Sequence, residues 1–181
     1  MSERGPDLGP ARSVRLERLG PADWRRWREV RLIALRDAPT SFASTYEQEA
    51  GRSEQDWRDW LHPDRGLKVL ARSADGELAG IVGGWEPPEV PGAVELYSMW
   101  VAPAARGRGV GDLLVREVLA WAAEIGATEV LLWVTRANAA AHALYERHGF
   151  RDTGREEPLP SHPCETERAM RLTLGQAPAA R

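Results

Sequence analysis

Residues Met99 to Leu114 (MWVAPAARGRGVGDLL) constrain this chain more than any other stretch, because a strand pattern runs through a glycine-rich turn straight into a helix pattern. Gly107, Gly109 and Gly111 let the backbone approach a ligand closely, and the first N–H groups of a helix have no acceptor within it and point one way. A helix dipole adds roughly 0.3–1 kcal/mol for each favourably placed charge. Arg106 and Arg108 offer charge-assisted bonds to oxyanions. Together these features predict a cradle for a phosphate or pyrophosphate. Two familiar nucleotide loops do not fit it. A Walker A loop ends in Gly-Lys-Ser/Thr, which is absent here, and a dinucleotide fingerprint would put its third glycine where Asp112 stands.

Strand and helix patterns alternate around the cradle. Val14–Leu19 alternates like a half-buried strand and stops at Gly20-Pro21. Asp23 is placed as the N-cap of a helix whose Trp24, Trp27, Val30 and Ala34 fall at steps of three and four, ending before Pro39. Residues 39–52 read as a polar loop with isolated aromatics, and Ser53–Leu61 as a short helix. Leu67–Arg72 and Leu78–Trp85, around an Asp75-Gly76 turn, predict a hairpin, with Val94–Val101 as a third strand. Leu114, Val118, Trp121 and Ile125 form a helical stripe stopped by Gly126. Glu129–Val134 is a continuous apolar strand, and Asn138–His148 a helix ending at Gly149. Phe150 begins an extended piece, and residues 165–174 are the last strand, after a Pro-rich loop at 158–163 read as connector or site rim. The order β α α β β β α β α β β, without repeats, predicts one α+β or mixed α/β domain over residues 13–174 with a central mixed sheet. Residues 1–12 and 175–181 are composed like tails.

Charge and cysteine usage exclude several classes. The 181 residues carry 24 basic and 27 acidic side chains, a net charge of −3, so no global positive field exists to coat a nucleic acid. No apolar run approaches the roughly 18 residues of a membrane span, and the N-terminal stretch has no apolar signal region. The single cysteine, Cys164, excludes an internal disulfide and a cysteine zinc site, and a cytoplasmic location is expected. His142 and His148 are six apart and His162 with Cys164 lacks further partners, so no metal is expected. The eight tryptophans divide: Trp24, Trp27, Trp121 and Trp133 sit at core-packing positions, while Trp57, Trp60, Trp85 and Trp100 lie on elements bordering the predicted site.

With the eliminations made, Arg106-x-x-Gly109-x-Gly111 after a strand ending Val101-x-Pro103 resembles the acetyl-CoA loop of the GCN5-related N-acetyltransferase (GNAT) superfamily. The stretch Asn138-Ala-Ala-Ala-His-Ala-Leu-Tyr145-Glu-Arg-His-Gly-Phe150 is similar to a second signature of that superfamily, an Asn followed seven residues later by Tyr and then by Gly-Phe. The two blocks cover about residues 94–151. The resemblance implies an α/β fold with a mixed, mostly antiparallel central sheet splayed at the cofactor site and flanked by helices.

It also implies roles. The N–H groups of Gly107, Arg108, Gly109, Val110, Gly111 and Asp112 would hold the CoA pyrophosphate with Arg106, while Met99, Trp100 and Val101 offer strand backbone to pantetheine. Asn138 and Ala141 would meet pantetheine from the next helix, and Tyr145, on the same face, would protonate the departing thiolate, a base of pKa about 8.5 by analogy with a cysteine thiol. The acceptor amine arrives protonated, and Glu95 is the first candidate base, ahead of Glu47 and Glu49. Thr40 to Tyr46 is expected to line the acceptor cleft. Glu47, Glu49, Glu86, Glu89 and Glu95 would favour a cationic acceptor. The implied activity is acetyl transfer from acetyl-CoA to a primary amine of a small molecule, of polyamine, antibiotic or amino-acid type, with a protein lysine or N-terminal amine as the alternative acceptor. Ribosomal-protein alanine acetyltransferases carry a glutamate five residues before the Asn, where this chain has Trp133. A non-catalytic acetyl-CoA sensor is the alternative of another class. No metal, nucleic-acid or membrane partner is expected, and a homodimer through the first helix is compatible with the fold.

Overall fold

In the computed structural model, which describes residues 14–175, the apolar runs pair into one seven-stranded sheet. The strands are β1 (Arg15–Arg18), β2 (Leu67–Arg72), β3 (Leu78–Trp85), β4 (Ala93–Val101), β5 (Glu129–Thr135), β6 (Arg151–Leu159) and β7 (His162–Thr173), in the order β1-β2-β3-β4-β5-β7-β6. Each neighbouring pair is antiparallel except β4 and β5. A parallel pair needs a crossover, and α4 (Val110–Glu124) supplies it. The mixed, mostly antiparallel sheet is the expected one. The expected tails, residues 1–12 and the end beyond Gly175, lie outside the described residues.

Strand alternation divides the interior into two cores. Val69, Ala71, Val82, Val94, Leu96, Val130 and Leu132 pack with Leu114, Val115 and Val118 of α4 and with Tyr145 of α5 (Ala139–Arg147). Leu70, Ile81 and Trp100 instead join Trp27, Val30, Ala34 and Leu35 of α1 (Trp24–Asp37), together with Phe42 and Trp57. Trp57, on α3 (Glu54–Trp60), is therefore fully buried core rather than a border residue. At Gly83 of β3 a Cβ would lie 2.7 Å from the Tyr97 ring, so the glycine makes room for an aromatic on β4.

Two local readings are corrected and one is refined. The stretch read as a polar loop, residues 39–52, contains a helix, α2 (Tyr46–Ala50), opened by a reciprocal cap in which the Thr45 hydroxyl accepts from the Gln48 N–H and the Gln48 side chain accepts from the Thr45 N–H. Asp23 holds the N-cap position of α1, but its side chain turns back to the Gly20 N–H and to Arg26. Residues 158–163 are not a free loop: β7 starts at His162, only two residues after β6 ends. Outermost in the sheet, β6 tolerates Pro158 because an edge strand has a face that needs no N–H donor.

A buried ion pair explains the short α2. Arg31 of α1 is almost fully buried and donates from Nε to Glu49 at 2.9 Å and from Nη2 at 2.7 Å, while Ser44 donates to the same carboxylate. Paired in this fork, both charges are satisfied, and α2 is anchored to α1. Glu49→Ala strands the guanidinium and should cost about 3–5 kcal/mol in urea unfolding. The double replacement Arg31→Met with Glu49→Leu should recover most of that loss.

Candidate active site

The site starts from a parting in the sheet. β4 and β5 pair only from Ala93↔Glu129 to Leu96↔Leu132, yet β4 runs on to Val101 and β5 to Thr135. Ser98 has φ of 54°, and Tyr97 and Trp100 face Gly83 and Ile81, so two β4 residues stand opposite Val82 alone. Such a bulge adds twist and turns the strand. β5 is meanwhile held along its length by β7, from Glu129↔Thr173 to Thr135↔Glu167. The strands separate because each follows its other neighbour.

Three cavities share walls at the parting, and Ser41 and Phe42 border all of them. The largest, about 560 Å³, is lined by Met99, Trp100, Val101, Gly107, Gly109, Gly111, Asn138 and Ala141. A second, about 380 Å³, lies over Glu95, Tyr97 and Trp133. A small one of about 80 Å³ joins Ser98, Met99, Thr135, Asn138, Ala141 and Tyr145.

The predicted cradle is open on the largest cavity. The backbone N–H groups of Gly107, Arg108, Gly109, Val110, Gly111 and Asp112 have no acceptor among the described residues. Gly107 and Gly109 adopt φ of 71° and 78°, the left-handed region that aims consecutive N–H groups into one concavity. The Asp112 carboxylate turns away to His148 at 3.0 Å and Arg147 at 3.3 Å, leaving its N–H in the cradle. Arg106 borders the cavity but donates to Asp37 and, at 3.1 Å, to the Val101 carbonyl, so it braces the turn against α1 and β4. Asp37 also accepts from the Trp100 indole at 2.9 Å. Arg108 has no ion pair among the described residues.

Helix α5 brings three expected residues to the parting. Asn138 caps it, its Oδ1 accepting from the Ala141 N–H at 3.1 Å, which leaves the side-chain NH₂ as a donor. Tyr145, two turns on, reaches the small cavity, is edge-on to Phe150 at 5.8 Å, and has no hydrogen-bond partner for its hydroxyl among the described residues. Burial pushes its pKa up, so it is a neutral donor at physiological pH.

Of the expected bases, the structure brings only Glu95 into the second cavity as an available carboxylate. Glu49 lies in its wall but is held by Arg31, and Glu47 lines a separate hollow beside Leu35 and Arg36. Burial raises the Glu95 pKa, opposed by a hydrogen bond with Trp85 and helped by the charge of Glu89. Sequence reasoning missed Glu167, which borders the same cavity from β7 and is pushed up to about 7 by burial and by the charges of Glu157 and Glu95. In the sequence Glu167 is one acidic residue among several in a strand of even polarity. Only the β5–β7 register, which sets it opposite Thr135, brings it level with the parting. Trp133, read as core, lines this cavity with Trp60 and Trp85.

Comparisons with known proteins give the family and the fold. The acetyltransferase (GNAT) family matches residues 27–150, and the chain belongs to that family. It is 41% identical over 116 residues to the mycothiol acetyltransferase of Clavibacter michiganensis subsp. michiganensis, covering 62% of this chain and 36% of that protein. It is 32% identical over 139 residues to the streptothricin acetyltransferase of Streptomyces lavendulae, covering 70% of this chain and 67% of that one. The chain thus spans about a third of the first relative and two thirds of the second. Among solved structures, a GCN5-related N-acetyltransferase from Kribbella flavida superposes with a TM-score of 0.71 at 24% identity, over 89% of this chain and 98% of that one. The spermidine N-acetyltransferase of Vibrio cholerae, solved with CoA and spermine, gives 0.69 at 18%, over 88% and 95%.

The two cavity carboxylates are electrostatically coupled. Glu95→Gln removes one of the charges that disfavour ionisation of Glu167, so the Glu167 titration midpoint should fall below about 7. Carbon-13 NMR of glutamate-labelled protein over pH 4–9 reads this directly, and an unmoved midpoint would refute the coupling.

Proposed function

We propose that this protein transfers the acetyl group of acetyl-CoA to a primary amine of a small molecule, by direct attack of the amine on the thioester. The observation that carries the reading is the run of unpaired N–H groups from Gly107 to Asp112, opening on a cavity that meets a second, carboxylate-bearing cavity at the parted strands. These residues fit CoA: the cradle suits a pyrophosphate, and Met99 to Val101 present strand edge beyond the point where β4 leaves β5. When bound, acetyl-CoA supplies the activated acyl group. The names of the relatives, acetyltransferases of mycothiol and streptothricin, and of structural neighbours acting on spermidine support a small-molecule acceptor.

The chain's residues then divide the work. The Gly107–Asp112 N–H groups hold phosphate oxygens, and Asn138 offers its NH₂ to an amide carbonyl. N–H groups of β4 at the parting are placed to polarise a carbonyl oxygen, an interaction that strengthens as charge develops there. The carboxylates over the second cavity take the proton that an ammonium must lose before it can attack. Glu167, with a pKa about 7, is matched to a base working at neutral pH, held there by burial and by the charges of Glu157 and Glu95. Tyr145 donates its proton to the departing sulfur. Orientation of the two substrates across the parting contributes up to roughly 7–11 kcal/mol in ideal cases.

Three outcomes follow for purified protein in a thiol-release assay with an amine panel. Gly109→Asp, which puts a side chain and a negative charge at a left-handed position of the cradle, should raise the CoA Kd at least tenfold by calorimetry. Tyr145→Phe should lower kcat by roughly 10²-fold with CoA affinity retained. A base must be deprotonated, so kcat/KM should rise as pH passes about 7 and level off above it, and Glu167→Gln should flatten that rise. CoA binding without turnover of any amine would overturn the enzymatic reading in favour of a sensor.

A further inference from the structure

The second cavity carries both signs of charge, sorted by layer. Arg31, Arg52 and Arg65 border it from α1, from the end of the α2 connection and from the turn before β2, whereas Glu95 and Glu167 border it from the sheet. Arg31 and Glu49 neutralise each other, which leaves two arginines set against two carboxylates. Neither Arg52 nor Arg65 forms a salt bridge among the described residues, although Arg52 lies near enough to the Asp56 carboxylate to help hold its pKa down. The Arg52 guanidinium stacks 4.6 Å from the centre of the Trp60 ring, and Arg31 lies 5.7 Å from the same ring. One of the three Arg31 nitrogens, Nη1, is buried with no acceptor, on a residue 4% exposed. Nearby, buried Lys68 lies 5.9 Å from the Tyr97 ring, held by the Arg65 and Gly66 carbonyls and by no carboxylate among the described residues. With the Arg31–Glu49 pair set aside, the helical wall lines the cavity with guanidiniums and the sheet wall with carboxylates.

Few acceptors satisfy both walls. A polyamine would set its second ammonium against Arg52 and Arg65, a simple monoamine would leave them unanswered, and a diacid would meet Glu95 and Glu167. We propose that the acceptor is an amine that carries an oxyacid group in the same molecule, an aminocarboxylate or aminophosphonate, with the acid on Arg52 and Arg65 and the amine on the side of Glu95 and Glu167. Guanidinium forks favour planar carboxylates and phosphonates by paired, charge-assisted bonds. Trp60 supports the acid end by stacking beneath Arg52 while its indole donates to the Tyr97 hydroxyl at 3.1 Å, which fixes the ring between the two walls. This sharpens the expectation of a cationic acceptor, because Glu49 is neutralised by Arg31 and Glu47 lies elsewhere.

The inference rests on the proposed acetyl transfer but is tested separately from it. The full chain is assayed with acetyl-CoA and matched pairs: L-arginine with agmatine, L-lysine with cadaverine, L-phenylalanine with phenethylamine, and 3-aminopropylphosphonate with propylamine. The acid-bearing member of at least one pair should show kcat/KM at least tenfold higher, and Arg52→Gln should bring that ratio towards one through KM, while Arg52→Lys retains part of it. The carboxylate and phosphonate arms tell the two acids apart. Calorimetric binding of the same pairs to the CoA-loaded protein reads the subsite without turnover, with thermal melting to confirm that the variants fold. Tighter binding of acid-bearing amines, lost in Arg52→Gln, upholds the inference even if nothing is acetylated, an outcome that would sink only the enzymatic reading. Equal handling of both members, preference for the decarboxylated amine, or no binding of either member overturns it.

Discussion

Everything at the candidate site depends on two strands ceasing to pair. Past Leu96↔Leu132, β4 is committed to β3 through a bulge at Ser98, and β5 to β7, so the backbone between them is left without its ladder. In a sheet interior, unpaired N–H and C=O groups cost about as much as lost hydrogen bonds. A ligand whose own amides can lie along a strand edge removes that cost. The same parting brings the glycine cradle's cavity and the carboxylate-bearing cavity together, with Ser41 and Phe42 in the walls of both.

Polar anchors add direction to the apolar packing of the elements around the parting. Asp37, the last residue of α1, takes the Trp100 indole and the Arg106 guanidinium together, tying helix, strand and cradle at one carboxylate. Arg31 and Glu49 do the same for α1 and α2. Directional bonds of this kind set distances where apolar contacts would permit sliding, and they fix the wall that carries Arg52. Asp112 shows the complementary device: its charge would oppose a phosphate, but His148 and Arg147 occupy it, and only its N–H is left to act.

Local signals were legible in the sequence to the extent that each is written in consecutive residues. The cradle needs three glycines in a row of five, and α5 needs an asparagine to cap it and a tyrosine seven residues on, so both stand out before any fold is known. The alternating runs likewise predicted the order of strands along the chain and a mixed sheet, while the one parallel pair, β4 with β5, came only with the structure. What could not be read is set by register. Glu167 on β7 reaches the cavity because it lies opposite Thr135 of β5, and Trp133 faces the cavity because β5 has left β4 by that point, although as an isolated aromatic in an apolar strand it reads as core. Conversely, Glu49 looks like a free acid until α2 closes it onto Arg31, a contact eighteen residues away in sequence.

Net charge illustrates why the acceptor is the last thing a sequence yields. A chain at −3 gives no reason to expect a positive wall, and its arginines are spread without a cluster. Yet α1, the α2 connection and the turn before β2 converge three guanidiniums on one cavity, and β4 and β7, on either side of β5, converge two carboxylates on it. Coulomb interactions at a few ångströms in a partly desolvated space far outweigh the summed field of a weakly charged surface. Recognition of a small charged acceptor is therefore a property of how the layers are stacked. The cradle's contacts, being backbone, are indifferent to most substitutions that preserve its glycines, whereas under the proposed reading acceptor selectivity would rest on single side chains such as Arg52 that can change without disturbing the fold.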